Sequence, residues 1–255
     1  MRPEYLQRPF DVRLEWGAPA AEALRDVACA VVVDVLSFTT AVTVAVERGM
    51  AVHPFRWRDE RAAAYAAEVG ATLAVGRLEA ARDGVAGVSL SPAAMARVEG
   101  VRRIVLPSPN GSTISTALAG SGATVVAACL RNAPAVTARL AERSDSGPVA
   151  VIPAGERWPD DTLRPAVEDL WGAGAVVAGL LAAGLSASPE ARAAAAAFRA
   201  AELPEDLHAC VSGRELSDRG FAADVAIAGE YGASPVVPVL VDGAFRADEA
   251  VGGRW

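Results

Sequence analysis

Lysine is absent from this chain of 255 residues, and all 24 of its basic residues are arginine. Without lysine there is no side-chain amine for Schiff-base chemistry, and no P-loop lysine to hold a nucleotide phosphate. Histidine is scarce as well. His53 and His208 stand far apart, and neither has a partner at metal-ligand spacing, so we expect both to be structural.

Cysteine occurs only three times, at Cys29, Cys129 and Cys210, and never with CxxC spacing. This pattern indicates buried, reduced thiols in a cytoplasmic protein. Cys129 does not fit the nucleophile of a CX5R phosphatase, because Ala135 stands where that pattern needs arginine.

A long apolar segment is also missing. The N-terminal stretch MRPEYLQRPFDVRLEW has no apolar signal core, and the apolar segment Leu170–Leu185 is shorter than the ~20 residues that a membrane span needs. The net charge of -7 and the pI near 5.0 argue against nucleic acid or an anionic membrane as a partner.

What the chain does have is enough apolar material, 52% of its residues, to bury a substantial core. Predicted strands alternate with predicted helices, without a linker or a fixed-period repeat. We therefore expect one α/β domain over residues 1–255, with two closely packed subdomains as the alternative. Its sheet should be mainly parallel, with helices on both faces.

The element boundaries are predicted from apolar patterns and from glycine and proline positions. The predicted strands are Asp11–Trp16, Cys29–Val33, Val52–Trp57, Thr72–Val75, Arg103–Leu106, Thr124–Leu130, Val149–Pro153 and Val236–Val241. The predicted helices are Ala20–Asp26, Thr39–Arg48, Asp59–Val69, Pro92–Val98, one ending near Ala119, one ending at Arg143, one starting at Pro165, Pro189–Glu202, Leu207–Glu215 and Ala222–Tyr231. Loops are predicted at Asp83–Ser91 and Arg157–Arg164, and a frayed end at Gly252–Trp255.

The segment from Ala28 to Thr40 organises the remainder of the chain. A continuous apolar run leads into Asp34 and then into a turn rich in hydroxyls, with Ser37, Thr39 and Thr40. Such a run is typical of a parallel strand covered on both faces, and open α/β sheets bind their ligands at the carboxyl ends of such strands. Asp34 is therefore the predicted centre of an active site.

The role of Asp34 stays open among metal ligand, nucleophile and general base. The DxDx[TV] pattern of haloacid-dehalogenase-type phosphatases is absent, because position 36 is leucine. A hard cation such as Mg²⁺ takes oxygen ligands and shares one or two carboxylates with the substrate phosphate.

Four predicted strands end in a polar or glycine-containing turn that precedes a helix. Their residues are Asp34, Ser37, Thr39 and Thr40; Asn110, Gly111, Ser112 and Thr113; Arg131 and Asn132; and Gly155 and Glu156. In a parallel sheet these turns share one edge, where helix N-termini suit phosphate or carboxylate. The alternative is that these residues only cap helices, which explains one turn well but four in succession poorly.

A second carboxylate is predicted at Glu168 or Asp169, in the first turn of a helix that starts at Pro165. Neighbouring helical residues diverge by ~100°, so we expect one of the two to bind the metal and the other to support it. The alternative is an acidic pair that only favours the helix dipole. Arg77, in Gly76–Glu79, is either an anion-binding arginine or part of a surface ion pair.

Several segments, taken in order, resemble one known family, the 2-phosphosulfolactate phosphatases or ComB-type proteins. The resemblance spans roughly Val27 to Val241. It is carried by Val33-Asp34-Val35-Leu36 with Thr39-Thr40, Asn110-Gly111-Ser112-Thr113, Cys129-Leu130-Arg131-Asn132-Ala133, Ala154-Gly155-Glu156, Ala166–Leu170 with Gly172-Ala173-Gly174, Ser212–Leu216, Gly220-Phe221, Asp224 and Val237-Pro238-Val239.

The resemblance implies a Mg²⁺-dependent hydrolase with that family's α/β fold, assembled as a homodimer. Its reaction would remove phosphate from (2R)-2-phospho-3-sulfolactate on the route to coenzyme M. The chain departs from the family at Ser37-Phe38, where arginine usually follows Asp-Val-Leu, and at Val75–Glu79 and Leu90-Ser91-Pro92. These departures remove groups suited to a sulfonate or phosphate, so a changed substrate is an alternative.

The resulting hypothesis is a cytoplasmic Mg²⁺-dependent phosphatase that acts on a small phosphorylated acid. Asp34 with Glu168 or Asp169 would hold the metal, and the turn residues Thr39, Thr40, Asn110, Gly111 and Ser112 would cradle the phosphoryl oxygens. Arg131 would offset charge in the transition state. One rival is a non-catalytic protein that binds a metabolite in the same crevice. The other is a dinucleotide enzyme, which is disfavoured because no GxGxxG follows the first strand.

Overall fold

The structure is a computed structural model, and it describes residues 2–24, 26–57, 59–77, 80, 88–143 and 147–248. The predictions for Leu78, Glu79, most of the loop Asp83–Ser91 and the end Gly252–Trp255 lie outside these residues.

In the described part of the chain, strands and helices alternate from Val12 to Pro153, as predicted. The strands are β1 (Val12–Leu14), β2 (Cys29–Val33), β3 (Ala51–Phe55), β4 (Thr72–Leu73), β5 (Arg103–Pro107), β6 (Thr124–Ala128), β7 (Val149–Pro153), β8 (Glu156–Arg157), β9 (Leu163–Arg164), β10 (Pro238–Val241) and β11 (Ala244–Ala247). The helices are α1 (Gly17–Ala23), α2 (Phe38–Glu47), α3 (Glu60–Glu68), α4 (Pro92–Met95), α5 (Gly111–Leu118), α6 (Ala133–Ala141), α7 (Val167–Ala182), α8 (Pro189–Ala200), α9 (Glu205–Ala209), α10 (Val211–Asp218) and α11 (Ala222–Ala228), after a 3-10 turn at Pro3–Leu6.

One large sheet of nine strands, in the order β1-β7-β2-β6-β10-β11-β3-β5-β4, joins the strands other than β8 and β9. Strands β1, β7, β2 and β6 form one parallel group, and β3, β5 and β4 form a second. The hairpin β10–β11 lies between the groups and is antiparallel to both neighbours. The predicted mainly parallel α/β fold is confirmed.

Two apolar cores cover the two faces of the sheet. Along β2 the side chains of Cys29, Val31 and Val33 enter one core, and those of Ala30 and Val32 enter the other. Helices α1, α2 and α5 contribute to the second core, and α6, α7 and α8 to the first. The continuous apolar run before Asp34 is therefore the mark of a strand buried on both sides.

Three predicted boundaries are wrong for physical reasons. The long helix begins at Val167 instead of Pro165, because Leu163–Arg164 pairs with Glu156–Arg157 and the chain is still extended at Ala166. The predicted loop Arg157–Arg164 therefore contains a short hairpin. The single predicted helix Leu207–Glu215 is two helices, since the backbone at Cys210 is extended.

The end of the chain also differs from the prediction, because β11 follows β10 after a tight turn. Asp242 and Gly243 both have positive φ, of 49° and 75°. An Asp-Gly pair favours such a turn, so this hairpin had a sequence signal that the prediction did not use. No helix in the described ranges has the length and apolar character that a membrane crossing requires.

Candidate active site

Asp34 lies directly after β2, and its carboxylate holds the N-terminal ends of two helices. Oδ1 accepts a hydrogen bond from the Phe38 N–H of α2 at 3.0 Å, and Oδ2 accepts one from the Gly111 N–H of α5 at 2.9 Å. Burial raises the pKa of Asp34, and the charge of Glu168 raises it further, whereas the two N–H groups and Arg77 lower it. The side chain is only 6% exposed.

Glycine is required at position 111 by this contact. A Cβ atom there would lie 2.8 Å from Asp34 Oδ2 and would overlap the ring of Phe38. Only a residue without a side chain lets α5 begin against the Asp34 carboxylate. The predicted turn Asn110–Thr113 therefore meets the turn after β2, although β5 belongs to the second parallel group.

Asp169, in the first turn of α7, joins the turns that follow β2 and β7. Its Oδ1 accepts the Val35 N–H at 2.7 Å, and its Oδ2 accepts the Gly155 N–H at 2.8 Å. Burial raises the pKa of Asp169 well above its usual value, and the charges of Asp34 and Glu168 act in the same direction. Asp169 thus fixes the backbone around Asp34.

Glu168, its neighbour in the same turn, is 2% exposed. It lies beside the thiol of Cys210, whose pKa is raised to about 11, first by burial and then by the charge of Glu168. Because Glu168 and Asp169 are consecutive helical residues, they point in different directions, as predicted from helix geometry. Asp169 faces the backbone turns, and Glu168 faces Asp34 and the start of α10.

Glu156, on β8, completes a group that we call the carboxylate cluster: Asp34, Glu156, Glu168 and Asp169. Asn110 Nδ2 donates a hydrogen bond to Glu156 Oε2 at 3.0 Å. Burial raises the pKa of Glu156 to about 7, with further increases from Asp34 and Glu168 and opposite effects from Arg164 and Asn110. The cluster gathers more negative charge than its neighbours offset.

Arg77 is an arginine whose charge acts on Asp34. Its Nε donates to Asp224 Oδ2 of α11 at 2.8 Å, and its Nη2 donates to Ser37 Oγ and to the Leu90 carbonyl. Asp224 is buried and also accepts hydrogen bonds from Ser91 Oγ and the Ala93 N–H. Of the two predicted roles of Arg77, the ion pair is present, but it is buried and does not lie at the surface, because Asp224 is 1% exposed; the anion-binding role stays a prediction.

Arg131 is directed elsewhere. Its guanidinium forms ion pairs with Glu230 and, at 3.5 Å, with Glu47, the last residue of α2, and it donates to the Ile227 carbonyl. Asn132 is used inside the fold: its Oδ1 accepts the Cys129 N–H, and its Nδ2 donates to two carbonyls. The structure therefore does not bring these two predicted site residues into contact with the cluster.

The hydroxyls of the predicted phosphate cradle mostly serve the local fold. Thr39 and Thr40 donate to the carbonyls of Asp34 and Val35, and Ser112 donates to the Leu106 carbonyl. Helix capping does not describe these contacts either, because each hydroxyl donates to a carbonyl and neither Ser37 nor Asn110, the N-cap residues of α2 and α5, forms a side-chain capping hydrogen bond. Thr113, in the first turn of α5, is partly exposed.

A cleft of about 230 Å³ opens beside the carboxylate cluster. Glu156 and Asn110 lie on the side nearest the cluster, and the remaining wall comes from α1, α5 and the β8–β9 hairpin. A ligand therefore has room next to the buried acids.

In a comparison with protein families, residues 18–243 of the 255 match the family model described as 2-phosphosulpholactate phosphatase. The chain belongs to the 2-phosphosulpholactate phosphatase family. The resemblance inferred from the sequence is thereby confirmed, and the chain is a phosphatase, a phosphoric monoester hydrolase. A comparison with curated proteins found no match.

In this member of the family, two polar residues at the site are not predicted by the sequence analysis. Asp224 was noted only as part of the resemblance, although it positions Arg77. Arg164, on β9 opposite Glu156, lowers the pKa of that carboxyl and was placed in a loop. The acidic start of α11 was a weak signal for Asp224; no signal marked Arg164, because its position depends on the β8–β9 pairing.

No three His, Cys, Asp or Glu side chains in the described part of this phosphatase converge closely enough to enclose a metal ion by themselves. The described residues therefore do not form a protein cage of the kind that holds a structural cation. They supply oxygen donors from the turn after β2, from β8 and from the first turn of α7, with the cleft beside Glu156.

Proposed function

We propose that the enzyme hydrolyses a phosphate monoester of a small acidic metabolite, of the 2-phosphosulfolactate type, with the help of Mg²⁺. The observation that carries this proposal is the carboxylate cluster, in which Asp34, Glu168 and Asp169 are all less than 7% exposed. Carboxylates buried together without enough positive partners are costly, and a hard cation offsets that cost.

Magnesium fits this donor set in a particular way. Mg²⁺ is usually bound by one or two carboxylates, by substrate phosphate and by water, without a complete protein cage. Each oxygen of Asp34 and of Asp169 accepts one backbone N–H group and keeps a second lone pair. We assign Asp34 and Glu168 as the ligands and Asp169, which holds the Val35 and Gly155 N–H groups on either side of the site, as their support. When bound, the ion would neutralise charge on the phosphoryl oxygens.

The chain's own groups would bind the anionic substrate around this position. Arg77, fixed by Asp224 and Ser37, offers a guanidinium whose Nη1 has no hydrogen-bond partner among the described residues. The first-turn backbone N–H groups of α5, at Ser112 and Thr113, suit phosphoryl oxygens, because a helix N-terminus favours negative charge. These groups orient the ester against the cluster.

Glu156 is placed to move the proton that hydrolysis requires. Breaking the ester bond leaves an oxygen on the metabolite that must gain a proton, while water supplies the new oxygen on phosphorus. A carboxyl with a pKa of about 7 exchanges protons readily near neutral pH. For phosphosulfolactate the products would be 3-sulfolactate and phosphate. Cytoplasmic location, a role in coenzyme M synthesis and homodimer assembly stay predictions.

The proposal is tested by phosphate release from a panel of phosphorylated acids that includes phosphosulfolactate and phospholactate. After EDTA treatment we expect release to stop, and added Mg²⁺ to restore it. Turnover that continues in EDTA would contradict the metal requirement. Tight binding of a panel member without any release would favour the non-catalytic rival for this chain.

A further inference from the structure

The cleft beside the carboxylate cluster is lined mainly by apolar side chains. Ala18 and Pro19 come from α1, Ile114 from α5 and Leu163 from β9. Asn110 and Glu156 lie in the same lining and also belong to the site, so the cleft reaches the edge of the carboxylate cluster at Glu156.

The charged groups at the cleft are already paired. Arg157 donates from Nε to Asn110 Oδ1, from Nη1 to the Asp161 carbonyl and from Nη2 to the Pro109 carbonyl, and it forms an ion pair of 2.9 Å with Asp161. Each of its three guanidinium nitrogens thus has a partner. No cation of the lining remains for a second acidic group, and Glu156 would repel one.

The size of the cleft limits its occupant. Its volume of about 230 Å³ lies below the ~300–1,000 Å³ of sites for drug-sized ligands. A group of a few carbon atoms fits this volume. Removing hydrocarbon from water is favourable, and Ala18, Pro19, Ile114 and Leu163 supply an apolar wall for it.

We propose that this cleft binds an uncharged hydrocarbon part of the substrate's leaving group. The inference rests on the proposed phosphatase site and adds to it that the substrate extends beyond a three-carbon acid. The acidic group of the substrate then lies on the side of Arg77, and the extension lies between α1 and α5.

The test is a series of 2-phosphooxy acids with three, four, five and six carbons. Each methylene that enters the cleft should raise kcat/KM by about threefold to fourfold, the value for complete transfer out of water. The five-carbon compound with a second, terminal carboxylate (2-phosphooxyglutarate) should have a kcat/KM at least tenfold lower than that of the five-carbon acid without this second carboxylate. The reason is that the terminal carboxylate would be desolvated beside Glu156.

Ala18→Phe fills the cleft from α1 and should abolish the gain with chain length, so that its kcat/KM is the same for the three-carbon and the six-carbon ester. Ala196→Phe, on the exposed face of α8, is the matched control and should keep the gain. A flat series in an active enzyme, or a preference for the dicarboxylate, would overturn the inference and leave the proposed function intact.

Binding of alkylphosphonates, which have no ester bond, separates the two proposals. With Mg²⁺ present, calorimetric affinity should rise from ethylphosphonate to pentylphosphonate in the wild type and stay constant in Ala18→Phe. If no ester is hydrolysed but this rise is found, the proposed reaction fails and the cleft assignment stands. If affinity does not depend on chain length, the cleft assignment fails.

Discussion

Single carboxylates of the cluster differ in how many N–H groups each receives. Asp34 and Asp169 each accept two backbone N–H groups, one on each oxygen, whereas Glu156 accepts one side-chain amide. The first two are therefore held in place by the backbone. Glu156 keeps one oxygen without a described partner, which suits a group that exchanges protons.

Two neighbouring residues should respond differently to the loss of one charge. We expect Glu168→Gln to raise the Mg²⁺ concentration for half-maximal activity at least tenfold with little change in the free energy of unfolding. Asp169→Asn should lower that free energy by about 1–3 kcal/mol, because an amide leaves one of two buried N–H groups without an acceptor. Magnesium titrations and urea denaturation measure the two effects, and identical behaviour of the variants would contradict the assigned roles.

The pKa of Glu156 makes the stability of the metal-free protein depend on pH. Because the folded-state pKa of about 7 exceeds the usual 4.5, the folded state binds the proton more tightly, and stability is lost as pH rises from about 4.5 to about 7. Glu156→Gln should remove about 2 kcal/mol of this loss, allowing for partial exposure. Denaturation in EDTA at pH 5 and pH 8 measures it. Glu190→Gln, at an exposed position, is the control. If the free energy of unfolding of Glu156→Gln changed between pH 5 and pH 8 as much as that of the wild type, the raised pKa of Glu156 would be refuted.

Among the elements, α5 packs into the core through Ile114 and Leu118, and its N-terminal end is held at the site by the hydrogen bond from the Gly111 N–H to Asp34 Oδ2. We expect Gly111→Ala to move α5 or the Asp34 carboxylate, lowering the free energy of unfolding by about 1–3 kcal/mol. The rate of phosphate release should fall at least tenfold, because small displacements of groups at a reacting site lower the rate strongly. Ala117→Ser, exposed on the same helix, should change neither; an active Gly111→Ala enzyme would show that this contact does not position the site.

Helix α11 acts on the site through Arg77. Asp224→Asn should raise KM at least tenfold with a smaller effect on kcat, since Asp224 positions a substrate-binding group without touching substrate. Arg77→Leu should show the same increase in KM. Arg77→Lys should not restore the wild-type KM, because one ammonium cannot reach both Asp224 and Ser37 as the guanidinium does. The exposed Asp218→Asn serves as control. A fall in kcat alone would indicate a different role.

For the whole molecule, the buried strands were predictable because an apolar run covered on both faces leaves a clear pattern, as in Cys29–Val33 and Val149–Pro153. The order of the strands was not, since the hairpin β10–β11 inserts between β6 and β3 through single residue pairs. Short pairings such as β8–β9 depend on tertiary contacts, and two-residue strands have no period to detect.

The carboxylates of the candidate site were predictable from the sequence, whereas the directions of its hydroxyl and arginine side chains were not. Asp34, Glu156, Glu168 and Asp169 follow strands or start a helix, which topology brings together. Whether a hydroxyl faces a ligand or its own backbone depends on rotamers, and Thr39 bonds to the backbone of Asp34. The direction of Arg131 depends on Glu47 and Glu230, which are remote in sequence.

The measurement that tests the central claim most directly is phosphate release from one accepted phosphorylated acid by wild type and Asp34→Asn, each with EDTA and with excess Mg²⁺. We predict release only for the wild type with Mg²⁺, and a loss of at least about 100-fold in the variant, as expected for removing a charge that acts at the reacting group. Thermal unfolding should show that the variant is folded. Equal release by a folded Asp34→Asn enzyme, or by the wild type in EDTA, would contradict a magnesium-dependent site at the carboxylate cluster.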